Sequence, residues 1–431
     1  MFETEKNLEH LVLIGVVKDS HPEQDDYAEQ YLKELAMLAE TAGAVVAGYM
    51  IQARPQPHPT RYLGKGKLEE LKVYAEAIGA TGILCDDELS GSQLKNVDDA
   101  LGMKVLDRTM IILDIFAERA MSAEGKAQVE LAQLKYRLSR LIGIGAQLSR
   151  QGGTAAGGAG GAGGVGIGAR GPGEKKLETD RRHIQSRIKQ LNEELQDITT
   201  SRKVLRDRRI QTGVPIIALV GYTNAGKSTL LNSLTDANVL AEDKLFATLD
   251  TTTRKLELPG GASVLITDTV GFINKLPHHL VQAFRATLEE LQYATILLHV
   301  VDASNPDYRE QITVVHNTLK DLKCMDKPMI TAYNKADLSN NYNPGEFAIG
   351  VSAKTGGNLS ALLESCEKVL QSMRRKLTVI IPYKEGHLVS LIHNNCEIIT
   401  EAHVEEGTKI EAYIPEELYG QLTSYTVVSG A

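Results

Sequence analysis

Along the first 120 residues, short continuous apolar runs alternate with stretches whose apolar positions recur every three or four residues. Leu11–Val17 is such a run, the pattern of a strand buried on both faces. Tyr27, Tyr31, Leu35, Leu38 and Ala39 then keep helical spacing across residues 26–41, up to Gly43, a C-terminal stop. The alternation continues with strands expected at Val45–Ile51, Gly82–Cys85 and Val105–Leu106, and helices at Lys67–Ile78, Gln93–Leu101 and Met110–Arg119. Repeated strand–helix units predict a mostly parallel sheet covered by helices.

Past residue 120 the period changes. Leu131, Leu134, Leu138, Leu141 and Leu148 form one seam, and Leu177, Ile184, Ile188, Leu191, Leu195 and Ile198 form another. Two such helices are expected to bury their seams against each other as an antiparallel hairpin. Between them, residues 152–173 are rich in glycine and have no side chains from which to build a core, so a mobile tip loop is expected. Strand patterns return at Pro215–Val220, Val264–Thr267, Thr295–Val301 and Met329–Tyr333, with a helix starting over Lys227–Leu234. The last stretch reads as strand Thr378–Ile381, helix His387–His393, strands Glu397–His403 and Lys409–Ile414, and helix Pro415–Leu422. The expected architecture is a multidomain α/β chain. It divides into an N-terminal parallel α/β domain (1–120), a helical hairpin (121–212), a second α/β domain (213–373) and a small α+β domain (377–431).

Composition narrows the setting. Of 431 residues, 42% are hydrophobic and 24% charged, which excludes a wholly disordered chain. Cys85, Cys324, Cys366 and Cys396 are far apart and form no metal-binding pattern, so neither a zinc site nor a disulfide framework is expected. The N-terminus lacks the basic-then-apolar order of a signal peptide, and no apolar run approaches the roughly 20 residues needed to span a bilayer. The expectation is a cytoplasmic protein, at most peripherally associated with a membrane. The net charge of −8 hides an asymmetry: residues 119–209 hold 18 Lys/Arg against 9 Asp/Glu, a local +9, which leaves −17 elsewhere. A solvated helical face would account for this, and so would a surface that meets a polyanion. The tip loop ends in Arg170-Gly-Pro-Gly-Glu-Lys175-Lys176, followed by Arg181 and Arg182, and these cations are the candidate RNA contacts.

The strongest chemical signal is Gly221-Tyr222-Thr223-Asn224-Ala225-Gly226-Lys227-Ser228, between an apolar strand and an apolar helix. Glycines let successive N–H groups turn toward phosphate oxygens, and the helix N-terminus adds its positive end. Lys227 is expected to reach the β- and γ-phosphates and Ser228 to bind Mg²⁺. Asp268-Thr269-Val270-Gly271 follows the next strand; its aspartate suits Mg²⁺ through water and its glycine N–H the γ-phosphate. Asn334-Lys335-Ala336-Asp337 supplies a carboxylate for the guanine N1–H and amine, and adenine would leave a buried Asp337 unpaired. Ser352-Ala353-Lys354 offers a backbone N–H near the guanine carbonyl. In this order, each at a strand end, the motifs predict a Ras-like P-loop domain that binds GTP. Between the first two lies Phe246-Ala247-Thr248-Leu249-Asp250-Thr251-Thr252-Thr253-Arg254, where spacing leaves Thr248, Thr251, Thr252 and Thr253 all open as the switch threonine. Phe272 stands where Ras-like proteins carry a water-orienting glutamine, so hydrolysis by the isolated protein is expected to be slow. Asn224 either shapes the phosphate loop or offers its carbonyl oxygen to a monovalent cation such as K⁺.

The chain resembles the HflX family of bacterial ribosome-associated GTPases along nearly its full length. The resemblance rests on the nucleotide motifs together with Tyr62-Leu-Gly-Lys-Gly-Lys67, the run Asp107–Ala120, Gly171-Pro-Gly-Glu174, Leu177–Arg182 and Phe246–Asp250. It implies an N-terminal domain joined through a helical hairpin to a G domain. It further implies binding of the large ribosomal subunit, through its RNA and proteins, and GTP-linked splitting or rescue of stalled or idle ribosomes under stress. By position it makes Thr248 the switch threonine that binds Mg²⁺, and Lys227, Thr248 and Gly271 the catalytic set. A proline often follows Leu-Asp in the family, whereas this chain has Thr251. The expected partners are GTP, GDP and the large subunit, with the protein itself a monomer. The competing expectation is a GTP-dependent switch that acts on a protein partner, at a membrane or in cofactor handling, without RNA contact.

Overall fold

The computed structural model describes residues 8–18, 25–154, 172–211, 214–235, 244–275, 289–338 and 348–426. Two compact units emerge: Met1–Gln196 with Lys275–Phe284, and Asp197–Asn274 with Arg285–Ala431.

The first unit is built on a four-stranded parallel sheet. Its strands are β1 (His10–Val17), β2 (Val45–Ala53), β3 (Gly82–Cys85) and β4 (Lys104–Asp107), in the order β2-β1-β3-β4. β1 is central, and from Leu11 onward each of its residues is buried, which is why its sequence is a run and not an alternation. Helices α1 (Asp25–Tyr31), α2 (Lys33–Thr41), α3 (Lys65–Ala77), α4 (Gly91–Leu101) and α5 (Arg108–Arg119) cover the sheet. The single helix expected over residues 26–41 is in fact two, broken at Leu32, whose side chain is fully buried. Ser90 and Gln93 form a reciprocal cap at the start of α4.

Two long helices follow, α6 (Ala123–Thr154) and α7 (Pro172–Gln211). The expected tip loop is trimmed at both ends, because Gly152 and Gly153 belong to α6 and Gly173 to α7; residues 155–171 lie outside the described residues. The seam of α7 is as expected at Leu191, which is buried, with Ile184, Ile188, Leu195 and Ile198 half-buried. On α6 the deepest stripe is different. It runs through Glu124, Gln128, Val129, Ala132, Tyr136 and Arg140; of the expected seam, Leu131 is buried, Leu134, Leu138 and Leu141 are half-buried, and the side chain of Leu148 lies outside the described residues. The cause is Asp107 at the end of β4. Its carboxylate accepts from Tyr136 Oη and Arg140 Nη2, both at 2.8 Å, and from the amides of Leu89 (2.9 Å) and Met110 (3.0 Å). A fully buried carboxylate with four donors ties α6 to the ends of β4 and α5 with directional bonds. Arg187 of α7 grips Glu130 of α6 with two hydrogen bonds, at 2.7 and 2.9 Å.

The second unit contains a six-stranded sheet: β5 (Ile216–Gly221), β6 (Thr252–Glu257), β7 (Ser263–Asp268), β8 (Ile296–Asp302), β9 (Met329–Asn334) and β10 (Ala348–Gly350). Their order is β10-β9-β8-β5-β7-β6, all parallel except the edge strand β6, which pairs antiparallel with β7. Helices α8 (Lys227–Thr235), α9 (Tyr308–Asp321) and α10 (Leu359–Met373) flank it. Leu219, Leu230, Ile266, Leu298, Ile330 and Leu362 meet in one core, each contributing roughly 1.5–3 kcal/mol on burial. The C-terminal strands β11 (Arg375–Ile381), β12 (Glu397–Val404) and β13 (Gly407–Ile414) form an antiparallel sheet of order β11-β13-β12, packed with α11 (Gly386–Asn395) and α12 (Glu416–Leu422). Among the described residues no helix is long and apolar enough to cross a membrane.

His299 in β8 is buried beside His316 of α9, ring centroids 5.4 Å apart, and its Nδ1 has no hydrogen-bond partner among the described residues. Burial first, then the charges of His316 and Lys227, push its pKa down to about 3. A depressed imidazole contributes stability that is complete above the unfolded value of about 6.5 and is lost as pH falls toward 3. We therefore expect stability to drop by up to about 1.4 kcal/mol per pH unit below pH 6.5 from this group alone. Urea titrations between pH 6.5 and 5.5 test this: His299→Asn should flatten the slope, and an unchanged slope would assign the loss elsewhere.

Candidate functional site

The site lies wholly within the second unit, at the carboxyl ends of β5, β7 and β9, where an open parallel sheet leaves strand-end groups free to meet a ligand. The loop leaving β5 depends on two glycines. Gly221 has φ +155° and a Cβ there would collide with the Val300 carbonyl, while Gly226 has φ +89° and a Cβ would strike the Asn334 amide. Asn224 takes the left-handed conformation at φ +60°, which agrees with a loop-shaping role.

Lys227 opens α8 and is buried, its Nζ donating to the carbonyls of Tyr222 (2.8 Å) and Gly221 (3.2 Å). Burial pushes its pKa down to about 8 against the opposing charge of Asp268. Asp268 is itself fully buried, and that burial raises its pKa against the pull of Lys227 and of hydrogen bonds from Ser228 and Thr248. Ser228 Oγ lies 2.7 Å from Asp268 Oδ2 and 2.6 Å from Thr248 Oγ1. Asp268 Oδ1 and Thr223 Oγ1 are buried with no hydrogen-bond partner among the described residues. Two hydroxyl oxygens drawn together beside a half-satisfied carboxylate form a set suited to a hard divalent cation such as Mg²⁺.

Of the four threonines that spacing left open, Thr248 alone reaches Ser228 in these contacts. Thr252 and Thr253 lie in β6, a strand not expected from the sequence. There Thr252 is paired in register with Asp268, and Thr253 meets Thr267 at 3.0 Å. Phe246 turns this segment at φ +53° and is buried, as is Leu249, while Ala247 and Asp250 are half-buried.

After Asp268, Thr269 is locked by its hydroxyl on the Leu219 carbonyl at 2.6 Å, and Val270 is buried. Gly271 approaches closely: a Cβ would stand 2.9 Å from Lys227 Nζ and 2.9 Å from Thr223 Cα. Phe272 is buried, and its backbone pairs with the phosphate loop.

The base-reading motif divides its labour. Asn334 is buried and faces inward, donating to the Ala225 carbonyl and accepting from the Ala353 amide, each at 2.9 Å. It therefore ties the phosphate loop to the Ser352-Ala353-Lys354 loop. Lys335 turns at φ +61° and pairs with Asp302 at 2.7 Å, and Ala336 N–H bonds the Val351 carbonyl at 3.1 Å. Asp337 is exposed, contrary to the buried carboxylate expected, with its pKa lowered chiefly by a hydrogen bond from Ser352. Discrimination by desolvation thus requires the base itself to cover Asp337. Lys244 and Thr229 also line the phosphate cleft and carry no motif signal. Among the RNA candidates, Arg170 lies outside the described residues, Lys175 and Lys176 sit in the first turns of α7, and Arg181 and Arg182 are exposed there. Arg182 pairs with Glu178 at 3.2 Å.

Comparison with known proteins agrees with these features. Three family models match in succession: "GTP-binding GTPase N-terminal" over residues 29–117, "GTP-binding GTPase Middle Region" over 119–209, and "50S ribosome-binding GTPase" over 216–335. The chain is 50% identical to the GTPase HflX of Lacrimispora saccharolytica over 427 residues, covering 98% of this chain and 97% of that one. It is 38% identical to the GTPase HflX of Escherichia coli, covering 95% and 94%. A GTP-binding protein from Sulfolobus solfataricus, solved with GDP, is 24% identical over 84% of this chain and 98% of its own, with a TM-score of 0.41.

With Lys227 as the expected phosphate ligand, binding is expected to depend on pH. Phosphates select the ammonium form, so GDP affinity should hold to about pH 8 and then weaken, approaching tenfold per further pH unit. Titrations from pH 7 to 9 check this, and a flat profile would mean that Lys227 stays protonated throughout.

Proposed function

The chain belongs to the HflX family of GTPases, and from that premise we propose that it binds the large ribosomal subunit and couples GTP binding and hydrolysis to the splitting or rescue of stalled or idle ribosomes under stress. The observation that carries this reading is the +9 charge of residues 119–209, with Arg181 and Arg182 exposed on α7, in the same chain as a GTPase domain of a ribosome-binding family. The four-part division at residues 1–120, 121–212, 213–373 and 377–431 belongs to this reading, with the protein acting as a cytoplasmic monomer.

In the proposed cycle, Lys227 holds the β- and γ-phosphates, the amides of residues 221–228 surround them, and Asp337 takes the guanine edge. Ser228 and Thr248, with Asp268 beside them, would hold Mg²⁺. The ion, when bound, neutralises charge on the phosphate oxygens. Thr248 already stands beside Ser228, ready for the ion, whereas Gly271 N–H would meet the γ-phosphate only in the triphosphate state and so reports which nucleotide is present. Water then adds to the γ-phosphorus, the bond to the β–γ bridging oxygen breaks with its electron pair staying on GDP, and GDP, inorganic phosphate and the proton lost by the water are released. Asn224 is the proposed ligand of a K⁺ ion beside the phosphates. Closure orients the basic helices toward ribosomal RNA, and hydrolysis releases them.

Purified protein should turn over GTP slowly, because Phe272 cannot orient water, and added large subunits should raise the rate well over tenfold. Tight GTP binding with no stimulation would instead favour a switch acting on a protein partner. Asp337→Asn should transfer preference from guanine to xanthine nucleotides, read by competition binding. Equal affinity of the unaltered protein for GTP and ATP would remove Asp337 from the base-reading role.

A further inference from the structure

We infer that the hydroxyl of Tyr222 is a positioning group for hydrolysis: it anchors the segment after Gly271 on the phosphate loop, so that main-chain groups do the work a glutamine side chain does elsewhere. The inference rests on the nucleotide-site assignment above and extends it to a residue whose side chain has no place in the motif pattern.

Tyr222, the second residue of the phosphate loop, is buried, and its Oη accepts a hydrogen bond from the Asn274 backbone N–H at 2.8 Å. Two main-chain bonds precede this one. Phe272 N–H donates to the Gly221 carbonyl at 3.1 Å, and Thr223 N–H donates to the Phe272 carbonyl at 2.7 Å. Residues 272–274 therefore run alongside residues 221–223 as a short parallel pairing, with Gly271 pressed against Lys227 and Thr223. The Tyr222 bond is the last of the three and the only one supplied by a side chain. It falls where the chain turns away through Lys275, at φ +51°.

The chemistry gives that bond its importance. Phe272 is buried and carries no hydrogen-bonding side-chain atom, so it neither holds nor polarises water. Orientation of the attacking water then depends on where the main chain around Gly271 stands. A displacement of about an ångström at such a point is enough to cost a large part of the rate. GDP lacks the γ-phosphate that Gly271 would meet, so its binding does not draw on this arrangement.

The test is Tyr222→Phe, which keeps the ring and removes only the hydroxyl. Single-turnover hydrolysis should fall about tenfold, GDP affinity should stay within twofold, and preference for a non-hydrolysable GTP analogue over GDP should shrink. Hydrogen exchange at the Asn274 amide should accelerate while the unfolding midpoint is little changed. Hydrolysis at the original rate would overturn the proposal. So would a parallel loss of GDP affinity and rate, since that marks a merely structural role in the loop. Lys227→Ala measured alongside separates the two levels: if it leaves nucleotide binding intact, the site assignment fails, whereas if it abolishes binding and Tyr222→Phe hydrolyses normally, only the role of Tyr222 fails.

Discussion

A buried ammonium, Lys227 at the start of α8, and a buried carboxylate, Asp268 at the end of β7, form the pair around which the site of the second unit is built. Burial drives both toward their neutral forms: the lysine falls to about 8 and the aspartate rises. Neither finds full compensation within the chain. Lys227 leans on two carbonyls, and one oxygen of Asp268 has no partner among the described residues. Charges left in this condition are costly, by several kcal/mol each, unless something else neutralises them. In the proposed cycle, phosphate oxygens and a divalent cation supply what is missing. The apolar sheet core beneath, where Leu219, Ile266 and Leu298 are essentially unexposed, offsets the cost until a ligand arrives.

Around that pair the backbone is stitched by contacts that do not touch a ligand. Asn334 joins the phosphate loop to the Ala353 loop, Thr269 fastens the end of β7 to β5, and Tyr222 fastens the residues after Gly271. Each ties a backbone group of one loop or strand to a side chain from another. Together they mean that movement of one loop is felt by the next, which is what a switch requires. Gly221, Gly226 and Gly271 are the places where this stitching leaves no room for a Cβ.

The first unit is fastened by another buried carboxylate. Asp107 caps α5 and receives Tyr136 and Arg140 from α6, with the Arg140 guanidinium stacked 3.9 Å from the Tyr136 ring centroid. The first of the long basic helices, α6, is thereby rooted at the end of β4 by a polar clamp that the apolar seam pattern did not announce. A clamp of this kind fixes direction as well as attachment, because its hydrogen bonds tolerate little rotation.

Much of this was legible in the chain before any coordinates. Fully buried strands such as Leu11–Val17 announce themselves as apolar runs, and the phosphate loop, Asp268–Gly271 and Asn334–Asp337 declare their chemistry because their residue types and spacing are dictated by the ligand. Other features carry no such local signature. The choice of Thr248 over Thr252 turns on which hydroxyl the fold brings within 2.6 Å of Ser228, and the pairing of β6 with β7 that occupies Thr252 is a contact between distant residues. The exposure of Asp337, the inward role of Asn334, the buried polar face of α6 and the Tyr222–Asn274 bond likewise join positions far apart in sequence. Local pattern determines which elements form and which chemistry they carry. Which side chains meet is decided only by packing, because a hydrogen bond depends on three-dimensional distance and burial, neither of which one-dimensional spacing encodes.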